Sequence, residues 1–123
     1  MRVLITGSRA WPDARDVYQA LNEVAWSVGQ GPLVVVHGKC FRGADRMAAE
    51  WCRGHPLVVE EPHPASWSEY GKAAGFIRNA HMVDLGADLC LAFIHNRSRG
   101  ASHCATLAES KGIETRRITR GKA

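Results

Sequence analysis

The stretch RVLITGSR at residues 2–9 places Val3, Leu4 and Ile5 in succession and then leaves them at once through a glycine, a hydroxyl and a guanidinium. An apolar run without alternation fits a strand covered on both faces, as in parallel sheets. The glycine, serine and arginine behind it suit the holding of an anion. Four further short runs follow: LVVVH at 33–37, LVVEE at 57–61, DLCLAFI at 88–94 and ETRRI at 114–118. They alternate with helix-like patterns, which is the sequence form of a parallel sheet with crossover helices.

The helices announce themselves by spacing and by their ends. Val17, Leu21, Val24 and Val28, with Ala20 and Ala25, form one stripe, and Asp13 is placed to cap it. A second helix is predicted over 44–53, with Ala44, Met47, Ala48 and Trp51 on one face, Gly54 at its end and Pro56 beyond. EPHPASWSEYGK at 61–72 reads as a loop with a single helical turn. A third helix is predicted over 73–85, turning Ala73, Phe76, Ile77, Ala80 and Val83 to the sheet and Gly75, Arg78, Asn79 and Met82 to another side. The last is predicted over 101–111, ending at Gly112. Right-handed crossovers and the commonest strand order, 3-2-1-4-5, give an α/β domain: a single Rossmann-like, five-stranded parallel sheet with helices on both faces, over residues 1–118. Residues 119–123 read as a basic C-terminal tail.

Composition is consistent with this. A chain of 123 residues, 46% hydrophobic and 23% charged, is one domain in size and too apolar for a disordered segment. No apolar run reaches the ~20 residues that span a bilayer. The sequence begins on a strand pattern without the features of a signal peptide, so a cytoplasmic location is expected. Cys40, Cys52, Cys90 and Cys104 show no C-x-x-C spacing and read as reduced thiols. The net charge of +4 comes largely from Arg116, Arg117, Arg120 and Lys122, a run that could attract nucleic acid.

The chemistry collects at one predicted sheet edge. TGSR at 6–9, HGKCFRGAD at 37–45, GKAAGFIRN at 71–79 and HNRSRGAS at 95–102 all stand at or near the C-terminal ends of strands. Glycine lets backbone N–H groups approach a ligand, and a following helix N-terminus adds partial positive charge, a combination that phosphate uses best. The candidate ligand-binding residues are therefore Gly7, Ser8, Arg9, His37, Gly38, Arg42, Gly43, Lys72, Arg78, Asn79, Arg99, Gly100 and Ser102, with Trp67 to stack on a base. The expected partner is a nucleotide or nucleotide-derived small molecule. Neither the P-loop pattern nor G-x-G-x-x-G is present, which argues against P-loop ATPase and dinucleotide redox chemistry. The histidine and cysteine spacing fits no structural zinc pattern, and no cofactor or metal is expected.

RVLITGSRAW, VVVHGKCFRGADRMAAEW, GKAAGFIRNAHMVDLGADLCLAF and RGASHCATLAESKGI together resemble the YspA-like branch of the SLOG superfamily. The likeness runs from Arg2 to about Ile118. It implies a Rossmann-like domain that binds nucleotides or their derivatives, often encoded near phage or defence genes, and a homo-oligomer. Trp26 and Trp51, read as helix-face residues, would help a dimer form. The superfamily also holds the LOG-type phosphoribohydrolases, which cleave the N-glycosidic bond of nucleoside monophosphates, and a DNA-binding branch. These supply two alternative functions.

By that resemblance Arg78 matches the arginine of the LOG-type enzymes. HNRSRGASHCATLAE departs from their PGGxGTxxE motif: Gly100 is kept, Ala101 replaces threonine, and His103 and Cys104 fall where the catalytic glutamate would be. Glu109 lies too far along to replace it. The candidate catalytic residues are accordingly Arg78, Asp45 and His103, with a helix cap as the competing role for Asp45.

Overall fold

In the computed structural model, which describes residues 1–121, the elements follow in the order β1 (Arg2–Gly7), α1 (Ala14–Val28), β2 (Val34–His37), α2 (Ala44–Arg53), β3 (Val59–Pro62), α3 (Trp67–Tyr70), a 3₁₀ turn (Gly71–Ala73), α4 (Ala74–Asp84), β4 (Leu89–His95), α5 (Arg99–Ser110) and β5 (Glu114–Arg120). The five strands form one sheet in the order β3-β2-β1-β4-β5, with every pairing parallel. This is the predicted α/β architecture and strand order.

Side-chain alternation along the strands divides the core in two. Val3, Ile5, Val35, Leu91 and Phe93 pack against Val17, Leu21 and Val24 of α1 and Ala48 and Trp51 of α2. Leu4, Val36 and Cys90 point to the other face and meet Met82 and Val83 of α4 and Cys104 and Ala108 of α5. The sheet is thus covered on both sides, and the crossover direction changes between β1 and β4. Their C-terminal ends, Thr6↔Ala92 and Gly7↔Phe93 in register, open a crevice at that switch point.

Local signals act as expected at several ends. Asp13 caps α1, its carboxylate accepting the Arg15 N–H at 2.9 Å. Gly54 closes α2, which spans the predicted residues. All four cysteines are free thiols, and Cys52, Cys90 and Cys104 are buried.

Four expectations need correction. β3 begins two residues late, leaving Leu57 94% exposed, because it is a short edge strand with one neighbour. β5 continues to Arg120, so Arg116, Arg117 and Arg120 belong to a strand; Lys122 lies outside the described residues. These arginines also face carboxylates: Arg116 pairs with Glu114, Arg117 with Glu109 at 2.8 Å, and Arg120 with Asp16 at 2.7 Å. The inward face of α4 is Ala74, Asn79, Met82 and Val83, while Phe76 and Ile77 are each 42% exposed. Finally, Trp51 is a core residue whose Nε1 donates to Asn22, so of the two helix-face tryptophans Trp26 alone presents its ring to solvent. No helix among the described residues is long and apolar enough to cross a membrane.

Candidate functional site

A cleft of about 550 Å³ opens at the C-terminal edge of the sheet. That is within the range of small-molecule sites, roughly 300–1,000 Å³. The turn after β1 contributes Gly7, Ser8 and Arg9; α2 contributes Asp45; the α3 region contributes Trp67 and Lys72; α4 contributes Arg78 and Asn79; and the start of α5 contributes Gly100. These nine sequence candidates converge from five separate segments. Gly38 sits in an adjoining recess together with Arg9, Trp67 and Arg78.

Hydrogen bonds fix the walls. Ser8 N–H donates to the Phe93 carbonyl at 2.9 Å, and Ser8 Oγ accepts the His95 N–H at 2.8 Å, joining the ends of β1 and β4. The Ser8 carbonyl accepts from Ala44 N–H at 3.3 Å, which docks the start of α2 against the same turn. Gly43 must be glycine for this approach: φ is 76°, and a Cβ there would collide with the backbone of Ser8 and Arg9.

Arg78 explains why α4 turns a polar face inward. Its guanidinium donates to the carbonyls of Gly38 and His63 at the ends of β2 and β3, and its Nε donates to Asn79 Oδ1 at 2.7 Å. A Cβ at Gly38 would occupy the guanidinium's place. Hydrogen bonds to the sheet edge thus hold the helix in a rotation that its apolar residues alone would not select. Over the mouth, the Arg9 guanidinium lies 5.3 Å from the centroid of Trp67, a cation–π contact.

Backbone conformation marks the same edge. Lys39, Asn96 and Arg97 have φ of 53°, 50° and 58°, and all three follow the C-terminal ends of β2 and β4. Non-glycine residues in this region carry strain and concentrate at functional sites.

Among the described residues, Asp45 is the one carboxylate that lines the cleft. It is 5% exposed; its Oδ2 accepts the Cys40 N–H at 3.4 Å, and its Oδ1 has no hydrogen-bond partner. Burial pushes its carboxyl above the ordinary value, opposed by His37, Cys40 and Arg78. The capping role expected for it is not its role, since Gly43 holds the cap position of α2. Burial, reinforced by Asp45, also raises the Cys40 thiol, which keeps it a thiol rather than a thiolate nucleophile.

Several candidates stand elsewhere. His37 is buried, its Nε2 bonded to Glu60 at 2.6 Å and its Nδ1 accepting the Lys39 N–H at 3.0 Å, so it braces the β2 loop. Arg42 is exposed beside Phe41, with its guanidinium 5.6 Å from that ring. Gly43, Arg99 and Ser102 do not line the cleft, and neither does His103, whose ring packs edge-on to Phe76 at 5.0 Å. Glu109 is held by Arg117. Conversely, Cys40, Phe76, Met82, His95 and Ser98 line the cleft without having been singled out. For Met82, a different choice of inward face on α4 would have found it.

The chain is 47% identical over 116 residues, 91% of each chain, to the Gene 61 protein of Mycobacterium phage D29. No solved structure gives a significant match. The model of the YspA, cpYpsA-related SLOG family matches residues 1–70, which carry β1 with its GSR turn and the β2 loop leading to Asp45. More than half of the chain is therefore matched, and the protein belongs to the YspA/cpYpsA-related SLOG family.

Proposed function

We propose that the protein binds a nucleotide or nucleotide-derived small molecule in the cleft between the ends of β1 and β4, as a sensor or processing module. The observation that carries this reading is the start of α5. Ser98 makes no side-chain cap, the N–H groups of Arg99, Gly100 and Ala101 find no acceptor among the described residues, and Ser98, Gly100 and Ala101 border the cleft. Nothing lies within 4 Å of the position a Gly100 Cβ would take. Such a helix start attracts an anion through its free N–H groups and its dipole. Arg9, Lys72 and Arg78 line the same cleft and add positive charge. Trp67, 48% exposed at the rim, offers a face for a base. Family membership supports the same coarse class of ligand.

Thermal-shift titration with nucleoside monophosphates, cyclic nucleotides and ADP-ribose tests the reading. At least one is expected to raise the melting temperature, and Arg78→Ala is expected to reduce that rise. No response to any of them would overturn it. The same samples test the phosphoribohydrolase-like alternative by release of free base. Asp45 favours that alternative as the cleft's carboxylate, because Glu109 and His103 lie outside it. The nucleic-acid alternative has less to draw on, since the β5 arginines already face carboxylates.

A further inference from the structure

We propose that Asp45 is the acceptor for a sugar hydroxyl of the bound ligand, so that the cleft selects a ribose carrying free hydroxyls over its deoxygenated analogue. The inference rests on the nucleotide reading above and goes beyond it in assigning the sugar's place.

The starting observation is a polar side chain at odds with its surroundings. Asp45 lines the cleft, is 5% exposed, and has Oδ1 without a hydrogen-bond partner among the described residues, while Cys40 alone serves the carboxylate, through its thiol and a long 3.4 Å bond from its N–H to Oδ2. A buried carboxylate ordinarily has its lone pairs satisfied, and one that is not calls for an explanation in strain, function or a missing partner. A structural role does not supply it. Asp45 does not cap α2, forms no ion pair among the described residues, and its helix start is already docked through Ala44 N–H on the Ser8 carbonyl.

The rest of the cleft says which part of a ligand fits there. A carboxylate repels phosphate, so the anionic end belongs at α5 and the basic side chains. A base needs a flat apolar surface, and the exposed aromatic faces are Trp67 and Phe76 at the rim. The buried lining of the cleft combines the short polar groups Thr6, Ser8 and Asn79 with the apolar Ile5 and Met82, and Cys40 is the residue that bonds Asp45. A neutral hydroxyl donor is the group that satisfies Oδ1 without bringing charge or needing a stacking partner. The sugar is the part of a nucleotide that carries it, and it lies between base and phosphate.

The test is calorimetric titration of wild type, Asp45→Ala and Asp45→Asn with the four ribonucleoside 5′-monophosphates and their 2′,3′-dideoxy counterparts, alongside melting of each unliganded protein. For wild type, removing the hydroxyls is expected to weaken binding by about 10- to 100-fold, the range for a hydrogen bond to a charged acceptor. In Asp45→Ala the preference is expected to fall to within about threefold, chiefly through weaker ribonucleotide binding. Asp45→Asn preserves the shape if the alanine variant does not fold. It is expected to lower the preference while melting at or above wild type, which a structural carboxylate would not allow. Equal wild-type affinity for the two sugar forms, or a preference that survives in the folded variants, overturns the assignment while leaving nucleotide binding intact. Failure of wild type to bind any nucleotide overturns both.

Discussion

Gly43→Ala measures how rigidly the cleft wall is built. Gly43 has φ 76° and ψ −153°, a region essentially reserved for glycine, where another residue costs about 1–3 kcal/mol. The added Cβ would lie 2.6 Å from Arg9 Cα and 2.7 Å from its carbonyl carbon, and would also strike the Ser8 carbonyl oxygen. These are backbone atoms, and the bonds from Ser8 to Phe93 and His95 hold them to the sheet. The clash therefore adds to the dihedral cost, and the sum is about 3–5 kcal/mol, among the larger single-substitution effects. At about 3–5 °C per kcal/mol for a domain of this size, the melting temperature is expected to drop by about 10–20 °C. Differential scanning calorimetry reads this directly, with Gly100→Ala as the contrast. Gly100 is helical with open space around its would-be Cβ, so alanine there is expected to leave stability unchanged or raise it by up to about 1 kcal/mol. The same methyl would stand in the space assigned to phosphate, so Gly100→Ala is expected to weaken nucleotide binding with the fold intact. A Gly43→Ala protein melting within about 3 °C of wild type would refute the rigid junction of β1 and α2.

Three further outcomes follow from other parts of the molecule. The folded Asp45 carboxyl keeps its proton to higher pH than in the unfolded chain, burial outweighing His37, Cys40 and Arg78, so its own contribution to stability falls as pH rises above 3.8. Asp45→Asn is expected to gain melting temperature over wild type at neutral pH, with the gap closing on acidification below 3.8; a pH-independent gap would contradict it. Glu61 behaves oppositely: hydrogen bonds from Arg2 and His63 hold it at about 2 against 4.5 unfolded, so its contribution is present above pH 4.5 and lost as pH falls towards 2. Glu61→Gln is expected to flatten that acid limb slightly, since the pair is about one-third exposed and solvent screens it. Trp67→Ala, at a half-exposed position, is expected to leave melting nearly unchanged but to weaken nucleotide binding by about 5- to 150-fold, the effect of losing one stacked base. Unchanged affinity in a fluorescence-independent titration would remove Trp67 from the site.

The sheet was legible because its central strands are buried on both faces and leave little freedom in how to read them. LCLAFI and VLI are apolar without alternation, and Asp13 and Gly54 mark the start of α1 and the end of α2. At the sheet's edge the same logic weakens. Leu57 and Val59 are apolar yet exposed, since an edge strand with one neighbour buries little whatever its composition. In the site, composition at the strand ends named the GSR turn, Arg78, Asn79 and Gly100, because the same glycine, hydroxyl and guanidinium chemistry recurs at four segments on one edge. It also swept in His37, Arg42 and Ser102, whose residue types suit a phosphate but whose side chains the fold directs away from the cleft.

The departures from pattern share one location. α4 turns Arg78 and Asn79 inward against its apolar periodicity, Lys39, Asn96 and Arg97 adopt left-handed backbone without being glycine, and Asp45 buries an oxygen with no partner. Each is unfavourable in isolation, and each borders the C-terminal edge of the sheet. At the opposite edge the turns reach positive φ through glycine alone, at Gly29, Gly86 and Gly112, with no comparable strain. Folding stability gives no reason for that asymmetry, because both edges solve the same problem of reversing a chain between strand and helix. A ligand does, since it can satisfy Asp45 and the free N–H groups of α5 only if the local cost of holding them ready is borne in its absence. Asp45 carries no such hydrogen bonds to the sheet edge as Arg78 does, so its substitution is the one that separates binding from folding most cleanly.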